Sequence, residues 1–513
     1  MAGPEDAGPV PAGGPEAGGV PVPAGGVPVP AGGVPVPAGG VPVPAGGVPV
    51  PAGGPGIRRW YAELAWLGRG EVRTGVLIEA SGNFFRAVTP DVPPEAVPPG
   101  TERRPGLTLP GLANAHSHAF HRALRGITEA GEGTFWTWRE RMYQVAGRLS
   151  PDSYLALARA VYAEMALAGV TCVGEFHYLH HGPGGSPYPD PNEMGRSLIQ
   201  AAAGAGLRIT LLDTCYLTGG LAPDGTPEPL SPVQQRFSDG DAARWADRLA
   251  ALGPDERGML APHARAGVAI HSVRAVPPAQ MHPVIDWSHR LGAPLHAHLS
   301  EQPAENEACL AAYGATPAQV LEDAGALGPR STMVHATHLT RHDIELLGGS
   351  RTCVCLCPST EAFLADGIGP AGALAAAGSP LTVGSDSHAV IDLLDEARRV
   401  ELDERLASGR RGRFGAVALA EAATVAGHTC LGWPQAGEIV PGALADLVTV
   451  RLDSPRLAGA AAATILESVI FAGSAADVTD VVTSGRDVVR DGRHLLVPDV
   501  PAALTSALRP LLA

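Results

Sequence analysis

LTLPGLANAHSH (107–118) opens a pattern that decides the fold: a short β-branched and apolar run that ends in polar, histidine-bearing residues. The same pattern returns as GVTCVGEFHY (169–178), LRITLLDTCY (207–216), AGVAIHSVR (266–274), PLHAHLSE (294–301), STMVHATH (331–338), TCVCLCPST (352–360) and LTVGSDSH (381–388). Between these runs lie Ala/Leu/Arg/Glu-rich stretches of helical period, such as 151–169 and 317–328. Eight β-runs alternating with helices predict an α/β protein built on a (β/α)8 barrel.

Outside the barrel, TGVLIEA (74–80) reads as a strand, and 90–100 is a Pro-rich loop. Short strands at 437–452 and 477–497 cannot continue a closed barrel, so they are expected to pair with the N-terminal strands at 60–90 in a small composite β-sandwich. The expected division is 1–55 tail, 56–106 first sandwich part, 107–432 barrel and 433–513 second sandwich part.

Composition sharpens this reading. Of the 65 Gly and 49 Pro in 513 residues, about 31 fall in the first 55, where VPVPAGG occurs five times in succession from Val20. Proline removes backbone donors and Gly-Gly adds chain entropy, so this tail is expected to be disordered. All 37 basic residues are arginine. Without lysine there is no Schiff base, phosphate-loop lysine or carbamylated-lysine metal bridge. The formal charge of −15 argues against nucleic acid or an anionic membrane as partner and leaves a small molecule. Seven scattered cysteines make no disulfide framework, and no apolar run is long enough to span a bilayer, so a cytoplasmic protein is expected.

Barrel active sites gather at the C-terminal ends of the strands. His116 and His118, His298 and Glu301, His335 and His338, and Asp386 and His388 all stand at such ends. Positions i and i+2 share one face of a strand, so His116 and His118 can bind one ion. Three imidazoles and a carboxylate suit Zn²⁺ or Fe²⁺ and a water made acidic enough to hydrolyse a substrate. Glu301, three residues after His298, is placed to move protons. Cys353, Cys355 and Cys357 alternate on one side of a strand and read as core; His177, His180 and His181 read as rim or supporting groups. Trp136 and Trp138 read equally as a cover over the site or as core.

HSH after the first strand, HLSE at the fifth, VHATH at the sixth and VGSDSH at the eighth resemble the amidohydrolase superfamily from about residue 57 onward. The resemblance implies a single metal ion on His116, His118, His298 and Asp386, with His335 contacting the attacking water or substrate; in catalysis Glu301 relays the proton while His335 and Asp386 orient the water and stabilise the tetrahedral intermediate. Two-metal members usually bridge their ions through a carboxylated lysine, which this chain lacks. Longer strings, HSHAFHRALRG (116–126), FWTWRERMY (135–143), GEFHYLHH (174–181), HSVRAV (271–276), HAHLSEQPAENEACLAAYGATP (296–317) and SDSHAVIDLLDEARRVELDERL (385–406), resemble formimidoylglutamate deiminases. That implies a homodimeric enzyme of histidine degradation, hydrolysing N-formimidoyl-L-glutamate to N-formyl-L-glutamate and ammonia. Arg139 and Arg274 then clamp the dicarboxylate, and Tyr178, His271 and His121 contact it. His121 stands where that family usually has glutamine. A mononuclear deaminase of a nucleobase or other heteroaromatic ring is the alternative. A second alternative makes the barrel a scaffold and the repeat tail the working part.

Overall fold

The computed structural model describes residues 56–129 and 133–512; the repeat tail lies outside the described residues. Eight parallel strands form the barrel: β1 (Leu112–Ser117), β2 (Val170–His177), β3 (Arg208–Cys215), β4 (Ala264–Ile270), β5 (Leu295–Leu299), β6 (Ser331–His335), β7 (Cys353–Leu356) and β8 (Leu381–Val383). Each strand pairs with its successor in the chain, and a parallel bridge between Ser117 and Asp386 closes β8 onto β1. Every residue of β2 and β3 is buried, as expected for parallel strands covered on both faces.

The helices that cover the barrel begin where local chemistry starts them. Thr134 and Ser150 cap α1 (Phe135–Arg148) and α2 (Pro151–Leu167) through capping boxes, and Pro151 occupies the first turn of α2, where its missing N–H costs nothing.

A second, eight-stranded sheet runs in the order 493–494, 486–490, 478–483, 447–450, 102–110, 58–65, 73–81, 84–89. It draws on both ends of the described chain and has its own core around Trp60, Val76, Ile78, Phe85, Ile439 and Val482. The run at 107–118 turns out to be two strands. Its first residues finish Glu102–Pro110 in the second sheet, and the barrel begins only after Gly111. A side chain at Gly111 would come within 2.4 Å of Thr171 Oγ1, so the change of sheet is made where no Cβ fits. The strand that pairs along its length with the C-terminal half is therefore Glu102–Pro110, antiparallel to Leu447–Val450, while from 60–90 the contact is a single antiparallel bridge between Phe84 and Leu444.

A buried ion pair ties the two sheets together: Arg208, first residue of β3, donates through Nη1 to Asp446 Oδ1 at 2.9 Å and through Nη2 to Oδ2. Removing one partner of such a pair strands a buried charge, at a cost of about 3–5 kcal/mol. Arg208→Ala is expected to lower the urea unfolding midpoint clearly; a midpoint equal to the parent's would show that the pair does not hold the sheets together.

Candidate active site

Closure of the barrel brings the chemistry-bearing ends together. Asp386 N–H donates to His116 O at 3.0 Å and His118 N–H to Asp386 O at 3.2 Å, so the eighth strand's acid is stitched to the first strand's histidines. Gly384 permits that approach: a Cβ there would stand 2.8 Å from the backbone nitrogen of His116. Ser117 Oγ and Ala119 N–H both donate to the buried Glu175, each at 2.7 Å, and fix the strand end behind them.

At this seam His116 Nε2 lies 3.2 Å from His298 Nε2 and 3.3 Å from Asp386 Oδ1, while His118 Nε2 lies 3.4 Å from the same oxygen. The second nitrogen of His118 faces Phe176 O at 3.0 Å, and that of His298 faces His271 O at 3.0 Å. A carbonyl only accepts, so both Nδ1 atoms carry the proton, and both neutral rings turn a bare Nε2 inward. Burial favours that neutral form, pushing His118 down to about 3 and His298 well below the ordinary histidine range. Bare nitrogens crowded against a carboxylate and shielded from water repel one another unless a cation sits among them. Three nitrogens and one oxygen fit a Zn²⁺ or Fe²⁺ site with an open position, so the donor set fits the expected ion.

Glu301 and His335 stand beside this cluster. Glu301 Oε1 is 3.7 Å from His335 Nε2, and Oε2 is 3.6 Å from Arg274 Nη2. Burial raises the Glu301 carboxyl above its ordinary range, against the pull of His335 and Arg274. Burial alone would lower His335, yet Glu301, Glu361 and Asp386 around it raise it well above the ordinary range. Ser300, His335, Ala336 and Asp386 all have left-handed backbone, an uncommon conformation for such residues that clusters at functional sites.

One cavity opens over the cluster. His121, Arg139, Tyr178, His271 and Arg274 all line it, together with His118, His298, Glu301, His335 and Asp386. His121 Nε2 and the Tyr178 hydroxyl are 3.0 Å apart. Arg139 lies over the rings of Trp136 and Tyr143, with its guanidinium carbon 5.0 Å and 5.5 Å from their centres. Trp138 lines the cavity with its ring 5.0 Å from His121, whereas Trp136 is 47% exposed outside it.

Other histidines go elsewhere. His338 bonds to the backbone of Asp366, and His388 to Ser117 and Ser385. His177, His180 and His181 are buried and form no rim; they surround Asp213, Asp239 and Arg248 behind β2. Cys353, Cys355 and Cys357 pack with Ala115, Cys172 and Trp433 in the barrel core.

Sequence reasoning missed Phe135, Met142, Tyr143, Tyr216, Phe237 and Leu364 in the cavity wall. The first three shared a visible signal, since 135, 138/139 and 142/143 follow helical spacing along one face of α1. Tyr216 carried one too, standing at the C-terminal end of β3, whereas Phe237 carried none, because only the folded loop brings it over the barrel.

A closed (β/α)8 barrel with imidazoles and carboxylates converging at its C-terminal mouth defines a barrel hydrolase. The chain belongs to the amidohydrolase family, whose model matches residues 107–488. It is a hydrolase acting on carbon–nitrogen bonds other than peptide bonds. The chain is 39% identical to the formimidoylglutamate deiminase of Pseudomonas aeruginosa over 445 residues, covering 85% of this chain and 95% of that protein. It is 31% identical to the 8-oxoguanine deaminase of the same organism, covering 69% of this chain and 76% of that one. A crystal structure of an amidohydrolase from Brucella melitensis superposes with a TM-score of 0.80 at 34% identity, covering 89% of this chain and all of the other.

Proposed function

We propose that this protein hydrolyses N-formimidoyl-L-glutamate to N-formyl-L-glutamate and ammonia in histidine degradation. The observation that carries the reading is that Arg139 and Arg274 line the same cavity as Glu301, His335 and the imidazole–carboxylate cluster. Two guanidinium groups match a substrate with two carboxylates in charge and geometry. The likeness to a formimidoylglutamate deiminase over most of both chains supports the same choice.

His116, His118, His298 and Asp386 would hold one divalent ion, Zn²⁺ before Fe²⁺ on the chemistry of the donor set. Such an ion supplies Lewis acidity and a water acidic enough to react near neutral pH. The chain's own groups do the rest. Arg139 and Arg274 fix the glutamyl carboxylates, while His121, Tyr178 and His271 orient the remaining polar atoms. As water adds to the formimidoyl carbon, Glu301 takes one proton from it and passes that proton to the imino nitrogen; as the C–N bond breaks, the remaining hydroxyl proton travels the same way, leaving the formyl oxygen behind and releasing ammonia. His335 turns Nε2 toward Glu301 and stabilises the developing charge. The seven cysteines are free and buried, which supports a reducing compartment such as the cytoplasm; no helix among the described residues is long and apolar enough to cross a membrane.

The aromatic wall of Phe135, Trp138, Tyr143, Tyr178, Tyr216 and Phe237 favours a second reading, deamination of a flat heteroaromatic ring. Assaying ammonia release from formimidoyl-glutamate and from purine and pyrimidine bases, alongside metal content, separates the two. Arg274→Ala sharpens the comparison: losing one charge-assisted clamp of about 1.5–3 kcal/mol raises KM for the dicarboxylate by about 10- to 100-fold. An unchanged KM would favour the ring substrate.

A further inference from the structure

Glu361 is not among the groups that line the cavity, yet it touches one that does. It lies on the short helix Pro358–Leu364 that follows β7 and is 4% exposed. Its Oε1 accepts the backbone N–H of Cys357 at 2.9 Å and faces His335 Nδ1 at 3.3 Å. On the opposite side of the ring, His335 Nε2 faces Glu301 Oε1 at 3.7 Å. Glu361, His335 and Glu301 therefore form a buried row of carboxylate, imidazole and carboxylate running from the strand framework to the cavity.

The chemistry of that row is directional. An ionised carboxylate only accepts, so the Glu361 contact requires a proton on Nδ1 of His335. The partner of one ring nitrogen decides what the other can do, and here it turns Nε2 toward Glu301 and the cavity. The bond from Cys357 N–H keeps the Glu361 carboxylate from swinging away. His335 also sits in left-handed backbone, with φ of 71°, an uncommon conformation for a residue with a side chain.

We propose that Glu361 is the positioning residue of this site: it holds Nδ1–H of His335, fixing the direction of the ring and aiming Nε2 at Glu301 and the reacting carbon without touching substrate. The proposal rests on the role given to His335 in the proposed reaction.

Two measurements test it. The first needs no substrate: nitrogen NMR of the ¹⁵N-histidine-labelled full chain, with His335→Gln identifying the resonance. A protonated Nδ1 on His335 is expected; a bare Nδ1 overturns the proposal, whatever the enzyme acts on. The second compares Glu361→Leu with Glu361→Gln, whose amide oxygen still accepts from Nδ1. The Leu variant is expected to lose about 10²-fold in kcat with KM within about threefold, and the Gln variant to keep most of the activity. Equal losses in both variants, or a Leu variant as active as the parent, would refute the positioning role. If the Leu variant does not fold, the NMR result and the Gln variant still decide. Absence of ammonia release by the parent protein would count against the proposed substrate and leave the NMR test standing.

Discussion

Glu301→Gln is expected to lower kcat by about 10³-fold while the metal content of the purified protein stays at the parent's level. Proton transfer by a positioned side chain contributes roughly 10²–10⁴-fold, and glutamine keeps the size of glutamate while losing the ability to take and return a proton. Glu301 is the one carboxylate in the cavity wall that faces both His335 and Arg274. Burial raises its pKa, bringing it nearer the working pH of a group that must gain and lose a proton in each turnover. The metal should remain because Glu301 lies outside the cluster of His116, His118, His298 and Asp386. A Gln variant within tenfold of the parent would end the proton-relay role. A variant that lost its metal would show instead that Glu301 belongs to the ligand set.

Asp386→Asn should strike the metal itself. Asp386 Oδ1 stands 3.3 Å from His116 Nε2 and 3.4 Å from His118 Nε2, and it supplies the negative charge among three otherwise neutral donors. Asparagine tolerates left-handed backbone, so the φ of 41° at this position is accommodated and the barrel seam should survive. A bound ion contributes several kcal/mol of charge stabilisation, and each ~1.4 kcal/mol is a tenfold change in rate. Activity is therefore expected to fall by about 10³-fold or more, together with metal content after dialysis against a chelator. A variant that kept both ion and activity would remove Asp386 from the site. One that kept the ion and lost activity would move it from holding the metal to orienting the water.

How much of this site could be read in the chain depends on the range of the interaction. The alternation of side chains along a strand is local, so HSH, HLSE, VHATH and VGSDSH could be placed at strand ends by pattern alone. The same locality explains an error. LTLPGLANAHSH is continuous in pattern, and nothing in its periodicity marks the change of sheet at Gly111, which is imposed by Thr171 and Asp446 crowding that residue in space. Glu361 was passed over for a related reason: it sits on a helix after a cysteine-rich strand read as core, and its value lies in a contact with a ring 26 positions earlier.

The sequence by itself determined the barrel, the stock of metal-binding and proton-carrying groups, and an all-arginine complement of permanent cations, because these follow from residue type and short-range period. Only the tertiary structure decided which of those groups meet. It sent His388 to Ser117, closed His177 and His180 into a separate buried cluster, and brought Asp386 to His116 across 270 residues through the seam of the barrel. It also set Arg139 and Arg274 on one cavity, from a helix after β1 and a loop after β4. Such meetings depend on ring closure and on the directions in which loops leave it, and these are properties of the assembled barrel that no single segment carries.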